Sequence, residues 1–217
     1  MTIDSVVDLQ LALMKPDEAE VVANITKKAD DDWHELGATD YDLQLLPGKI
    51  EAIRKASLGK AVIIVGKMNG VIVASYKPSA FEVDEDKSLV LGKGRFIDAF
   101  GSRQYSLGNT DLFAVSEERR GIGTLFFEHF GKIMEHVALK VGISIPHRVT
   151  ATHRSNGFYE RLSYKQVAYT RGLRTDLVLM ERTYQPLPNQ LPQSEMEIAK
   201  GFFILAAFTR IGISTIS

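Results

Sequence analysis

Residues 111–137 constrain the fold of this 217-residue chain more than any other stretch. Asp111–Val115 (DLFAV) is short, apolar and suited to a strand. Gly121 and Gly123 follow and interrupt the pattern. Beyond them Phe126, Phe130, Ile133, Met134 and Val137 fall at i, i+4, i+7, i+8 and i+11, one face of a helix. A strand, a glycine turn and an amphipathic helix must pack back on one another. The core is therefore expected to be a sheet covered by helices.

The flanking sequence extends that pattern. Residues 5–14 read as a first strand. Pro16 opens a helix with Asp17, Glu18 and Glu20 in its first turn, where a missing N–H and negative charge are both tolerated. Ala19, Val22, Ile25, Ala29 and Trp33 mark its apolar face, and a second short helix follows Pro47. AVIIVGKMNGVIVASY is two β-branched runs around Asn69-Gly70, the pattern of a tight hairpin. Residues 77–105 carry Pro78, several acids and three glycines. They are expected to be a long connection with one short strand at SLVL. A strand from His147, a short helix around Phe158–Leu162 and two closing strands (QVAYT and TDLVLMERTY) complete the order β–α–α–β–β–loop–β–α–β–α–β–β. The fold class this predicts is α/β (α+β), a mixed, mostly antiparallel sheet of about six to seven strands with helices on both faces. Three of the seven prolines crowd into 186–192. The expected division is thus a domain over 1–184 and a Pro-rich linker with a helical extension over 185–217. Ser194 is the expected cap of that helix, and FFILAAF (202–208) is a contact for the same domain or for a homodimer.

Composition narrows the chemistry. Lys and Arg number 26 against 27 acids, a net charge of −1, so nothing in the balance favours a nucleic-acid partner. There is no cysteine, which excludes thiol nucleophiles, disulfides and thiolate metal sites and fits a reducing, cytoplasmic setting. No apolar run approaches the ~18–20 residues of a membrane-spanning helix. No His-Glu-x-x-His or related spacing calls for a metal.

The segment Val115-Ser116-Glu117-Glu118-Arg119-Arg120-Gly121-Ile122-Gly123-Thr124 holds the densest chemistry. Glycines free the backbone to turn, and the helix that follows offers its positive end, a setting suited to a pyrophosphate. Arg119 and Arg120 add charge at the rim. A dinucleotide fingerprint needs a third glycine where Phe126 stands, and a nucleotide P-loop needs a Gly-Lys-Ser/Thr that is missing. A turn that binds nothing remains the plain alternative.

The same segment resembles the acyl-CoA pyrophosphate loop of the GNAT superfamily of N-acetyltransferases, Gln/Arg-x-x-Gly-x-Gly/Ala between a strand and a helix. Aligning Gly121 and Gly123 with the family glycines places Glu118 at the Gln/Arg position, a departure. Phe158-Tyr159-Glu160-Arg161-Leu162-Ser163-Tyr164 is similar to the family's Phe-Tyr-Glu-Lys-Leu-Gly-Phe element, with Ser163 for glycine and Tyr164 for phenylalanine. The motif likeness covers about 110–166, and the topological likeness most of 5–184.

The resemblance implies an acetyl-CoA-dependent transferase acting on a primary amine. It implies that Phe113, Ala114 and Val115 pair with the pantetheine arm where the sheet splays. It further implies that Arg119, Arg120, Gly121, Ile122, Gly123 and Thr124 hold the pyrophosphate, that Asn156 and Phe158 border the cofactor, and that Tyr159 returns a proton to the leaving thiolate. A phenol pKa of about 10 lies close enough to that of an alkyl thiol for such a transfer. Asp111, Glu117, His147 and His153 are open candidates for the base, with Glu117 and His153 placed first and a water chain as the alternative to any single group. The acceptor is a small-molecule or protein amine, and no metal is needed. Glu118 and Ser163 keep a second reading in view, a non-catalytic acyl-CoA-binding module used in regulation or assembly. Ser163 also stands where an uncommon backbone conformation is expected.

Overall fold

The structure is a computed structural model. It describes residues 8–35, 46–58, 62–78, 81–83, 89–91, 96–97, 104–105, 112–117, 120–169 and 177–214. These fall into two compact units, residues 1–77 with 112–129 and residues 78–111 with 130–217.

The first unit is built on a four-stranded antiparallel sheet in the order β1-β2-β3-β8. Its strands are β1 (Leu9–Leu13), β2 (Ile64–Met68), β3 (Val71–Lys77) and β8 (Leu112–Val115). Asn69 and Gly70 take φ of 51° and 78°, the left-handed pair that a two-residue hairpin between β2 and β3 demands. Pro16 starts a short 3-10 turn (Pro16–Glu18), closed by the Glu18 carboxylate accepting the Lys15 N–H at 2.8 Å. Helix α1 (Ala19–Glu35) then runs on from that turn, and α2 (Leu46–Ser57) follows.

A bulge decides which residues face which layer. Gly66 pairs with Ala74 but Lys67 pairs with Ile72, so Val73 is one residue extra in β3. Ile72 therefore joins Val65, Ile63 and Ala114 against Val22 and Ile25 of α1 and Ile53 of α2. Ala74 and Tyr76 turn to the other face, where Tyr76 packs against Phe113 of β8 at 6.3 Å and against Phe126 and Phe127 at 6.1 and 5.6 Å. Both phenylalanines belong to α3 (Ile122–Val141). Gly66 makes this approach feasible, because a Cβ there would lie 3.0 Å from the Phe126 ring and 3.2 Å from Leu9. The sheet of this unit is thus covered on both faces.

The second unit holds seven strands in the order β4-β5-β9-β11-β10-β6-β7. They are β4 (Phe81–Val83), β5 (Leu89–Leu91), β6 (Phe96–Ile97), β7 (Gln104–Tyr105), β9 (Ile145–Thr152), β10 (Lys165–Tyr169) and β11 (Leu177–Tyr184). All pairings are antiparallel except β5 with β9. The centre is the long β9–β11 ladder, from Leu177 opposite Thr152 to Tyr184 opposite Ile145. Residues 130–141 of α3 lie in this unit, and Phe130, Ile133, Met134, Val137 and Ala138 are fully buried. Helix α4 (His153–Arg161) packs on β9 and β11, and α5 (Gln193–Ser214) closes the described chain.

The expected mixed, mostly antiparallel sheet with flanking helices is present, its strands divided between sheets of four and seven. Two local expectations need correction. Residues 77–105 hold the end of β3 and four short strands, not one strand in a long connection. Ser194 lies inside α5, which already starts at Gln193, so it is not the cap. The hairpin residues Arg171, Gly172, Leu173 and Arg174 lie outside the described residues.

Candidate functional site

The glycine turn is assembled entirely within the first unit. β8 ends the order of its sheet and delivers the chain to Ser116. The bulged residue Val73 accepts the Ser116 N–H at 2.8 Å, and the Lys28 ammonium of α1 donates to the Ser116 carbonyl at 2.9 Å. The first peptide of the loop is therefore held from both sides. Gly121 takes φ of 74°, and among the described residues, its chain neighbours aside, no atom lies within 4 Å of where its Cβ would stand. The turn needs glycine for its backbone angle. The Gly121 carbonyl accepts the Leu125 N–H at 3.0 Å, the first bond of α3. The amides of Ile122, Gly123 and Thr124 consequently have no carbonyl one turn back in the helix. With the aligned peptide dipoles behind them they favour an anion.

Arg120 and Glu117 flank this end, joined at 2.6 Å, with 73% and 49% of their side chains exposed. So exposed a pair contributes little to stability. A phosphate can compete for the guanidinium at small cost. Glu117, expected as a base, is the partner of Arg120 on this loop. Glu118, Arg119 and Asp111 lie outside the described residues.

The second group of expected residues is held within the other unit, on α4 and the turn after it. Tyr159 packs its ring against Phe158 at 5.0 Å and against Tyr164 at 5.4 Å, both edge to face. The helix ends in a Schellman arrangement: the Tyr164 N–H donates to the Tyr159 carbonyl and the Ser163 N–H to the Glu160 carbonyl, each at 3.0 Å. Ser163 occupies the left-handed position at φ of 66°. The Asn156 Oδ1 is buried without a hydrogen-bond partner, one turn before Tyr159. It is an acceptor suited to a ligand N–H. His153 opens α4, and its side chain lies outside the described residues.

Beneath α4 lies a polar cluster that periodicity does not reveal. The His147 Nδ1 lies 2.6 Å from the Tyr164 hydroxyl, which lies 3.1 Å from that of Tyr184. Phe130 closes over His147 and Tyr184 at 5.4 and 6.2 Å. Burial and the nearby Arg182 charge push His147 down to about 3, and burial pushes Tyr184 up to about 12. His147 is thus neutral and enclosed, unsuited to take a proton from an incoming amine. Arg182 donates to the Leu162 carbonyl at 3.1 Å, sits 4.9 Å over the Tyr184 ring and approaches Glu135 at 3.9 Å. Asn189 of the proline-rich stretch donates to Glu135 at 2.7 Å.

No protein-family model matches this chain, and no curated protein matches it in sequence. Solved structures match it in fold. The PaiA N-acetyltransferase of Thermoplasma acidophilum, in complex with coenzyme A, aligns over 82% of this chain and 99% of its own with a TM-score of 0.52 at 12% identity. The fold is that of the GNAT N-acetyltransferases. An N-acetyltransferase of Staphylococcus aureus Mu50 aligns over 82% and 99% with a TM-score of 0.49 at 15% identity. The ribosomal-protein-S18-alanine N-acetyltransferase of Escherichia coli aligns over 85% and 99% at 0.46 and 15%. At such identities the likeness is one of fold.

Within the GNAT fold the expected residues stand as two sets. Phe113, Ala114 and Val115 on the strand, and Arg120, Gly121, Ile122, Gly123 and Thr124 at the start of the helix, lie in the first unit. Asn156, Phe158 and Tyr159 share one helix in the second. The residues missed were Tyr164 and Tyr184 as partners of His147. The only signal available was tyrosine where the GNAT element has phenylalanine. Among the described residues no group of three or more His, Cys, Asp or Glu could hold a metal, and no helix is long and apolar enough to cross a membrane.

Proposed function

We propose that this chain is an acyl-CoA-dependent N-acetyltransferase of the cytoplasm that transfers acetyl from acetyl-CoA to a primary amine of a small molecule or protein. The observation that carries the reading is the turn at Gly121. It has a left-handed glycine, the first turn of a helix directly after it and an exchangeable arginine, all following the last strand of its sheet. These features support a pyrophosphate seat here, next to a strand along which a pantetheine arm can lie. Acetyl-CoA supplies an acetyl group activated as a thioester. The chain's own tasks are to bind the pyrophosphate through Gly121–Thr124 and Arg120 and to align the arm on Phe113–Val115. It must also remove a proton from the attacking ammonium and return one to the thiolate. Tyr159 is the proposed proton donor. Glu117 and His153 are the proposed routes for the amine proton, directly or through water. Asn156 and Phe158 are the proposed neighbours of the arm.

The fold supports this reading, and the cap of α4 bears on its rival. Ser163 departs from the GNAT pattern in residue but keeps the left-handed angle of a glycine. The departure therefore leaves the geometry intact and gives no support to a module without activity.

Isothermal titration with acetyl-CoA, with NADH as the comparison, tests the proposal. Acetyl-CoA is expected to bind with an affinity on the order of micromolar and NADH not to bind. Gly121→Val forces a β-branched residue to a positive φ, and affinity is expected to fall at least about tenfold. Absence of binding to the parent chain, or unchanged affinity in the variant, refutes the ligand. Tyr159→Phe is expected to spare binding and slow turnover.

A further inference from the structure

The cap of α4 and the buried cluster beneath it meet at one residue. Tyr164 is tied to Tyr159 twice, by its N–H on the Tyr159 carbonyl at 3.0 Å and by its ring against the Tyr159 ring at 5.4 Å. Its own far end is fixed: the hydroxyl sits 2.6 Å from His147 Nδ1 on β9 and 3.1 Å from the Tyr184 hydroxyl on β11. Those two strands are neighbours in the central ladder, and the His147 and Tyr184 rings stack at 5.9 Å with 24° between their planes. Arg182, opposite His147 in the same ladder, holds the Leu162 carbonyl at the end of α4. The anchor packs closely on α3. Gly131 has no Cβ, and Arg182 and Tyr184 pass 3.5 Å from where one would be.

A phenylalanine at 164 could supply the ring contact but not the hydroxyl. Burying a hydroxyl is unfavourable unless it is bonded, and here the bonds run to the two central strands of the sheet. They convert a ring that merely fills space into one held at both ends.

We infer that Tyr164 is a positioning residue: anchored by His147 and Tyr184, it fixes the ring on which Tyr159 packs and so sets the direction of the Tyr159 phenol. The inference rests on the proposed role of Tyr159 for its catalytic meaning, while the geometry can be tested apart from it. Tyr164 itself touches no reacting atom.

The test uses the full chain labelled with carbon-13 at the tyrosine ζ carbons, of which there are seven. Tyr159→Phe identifies the Tyr159 resonance. In Tyr164→Phe the Tyr159 resonance is expected to shift or broaden, with the melting temperature reported alongside. His147→Leu should do the same, and His147→Asn, which keeps a polar atom near the Nδ1 position, should restore the parent signal. Thiol release from acetyl-CoA should fall about ten- to hundredfold in Tyr164→Phe with KM for acetyl-CoA little changed, the pattern of misplacement rather than lost binding. An unaltered Tyr159 resonance in a folded Tyr164→Phe or His147→Leu variant overturns the inference. If instead Tyr159→Phe leaves thiol release intact while the resonance still responds to Tyr164→Phe, the catalytic role of Tyr159 falls and the positioning stands.

Discussion

Ser163 shows how one residue can depart from a pattern and still obey its geometry. A non-glycine residue at φ of 66° is strained by its Cβ against the carbonyl that follows. The Schellman bonds from Ser163 and Tyr164 hold it there. Ser163→Gly removes the Cβ but loosens the unfolded chain, so the gain is the difference of the two effects. We expect about 0.5–1 kcal/mol of added stability, read as a higher urea midpoint with an unchanged slope. A lower midpoint would mean that the serine hydroxyl contributes something the backbone angle does not explain. The need for an uncommon conformation at Ser163 was legible from its place in the motif. The partners of Tyr164 were not, because His147 and Tyr184 lie 17 and 20 residues away in sequence.

At the scale of elements, long periodic segments were readable and short ones were not. Helix α3 announced itself through Phe126, Phe130, Ile133, Met134 and Val137, and all five are buried. Strands β4 to β7 are two or three residues long, too short for an alternation to register. Their existence depends on pairing across the sheet, such as Tyr169 with Ile97. β3 defeats period-two reading for another reason. The extra residue at Val73 reverses the faces of everything after Ile72, and nothing local in a β-branched run marks a bulge. Helix α5 illustrates packing that outlives a misplaced cap. Ile198, Ala199, Phe202 and Ala206 are buried, and Phe202 meets Phe130 edge to face at 6.1 Å. Phe202→Ala should therefore cost about 3–5 kcal/mol, measured by chemical denaturation. A loss below about 1 kcal/mol would show that α5 does not share the core of its unit.

At the scale of the whole molecule the buried cluster sets a pH window for stability. His147 keeps an ordinary pKa of 6.5 when unfolded but falls to about 3 when folded. Between those values the unfolded chain binds the extra proton, so stability falls as pH drops through the window and is complete above it. Tyr184 rises from 10 to about 12 on folding, so the unfolded chain loses its proton first and stability falls again as pH rises above 10. Each pKa unit is worth about 1.4 kcal/mol, so the acid limb removes on the order of a few kcal/mol. Urea midpoints from pH 4 to 11 should be flattest between about 6.5 and 10. His147→Asn should flatten the acid limb and Tyr184→Phe the alkaline one. Acid limbs of equal slope in the parent and His147→Asn would show that this histidine is not the group responsible.

Local chemistry was enough to determine the hairpin at Asn69-Gly70, the strand and helix on either side of Gly121, the helix bearing Tyr159 and hence the order of the longer elements. Each of these depends on the angles a few neighbouring residues can adopt and on which of their faces must leave water. The division of the strands into sheets of four and seven, the reversal of faces at Val73 and the burial of His147 between Tyr164 and Tyr184 were decided only in the tertiary structure. These features join residues far apart in the chain. Their free energy comes from hydrogen bonds and rings brought together across strands, which no single segment contains.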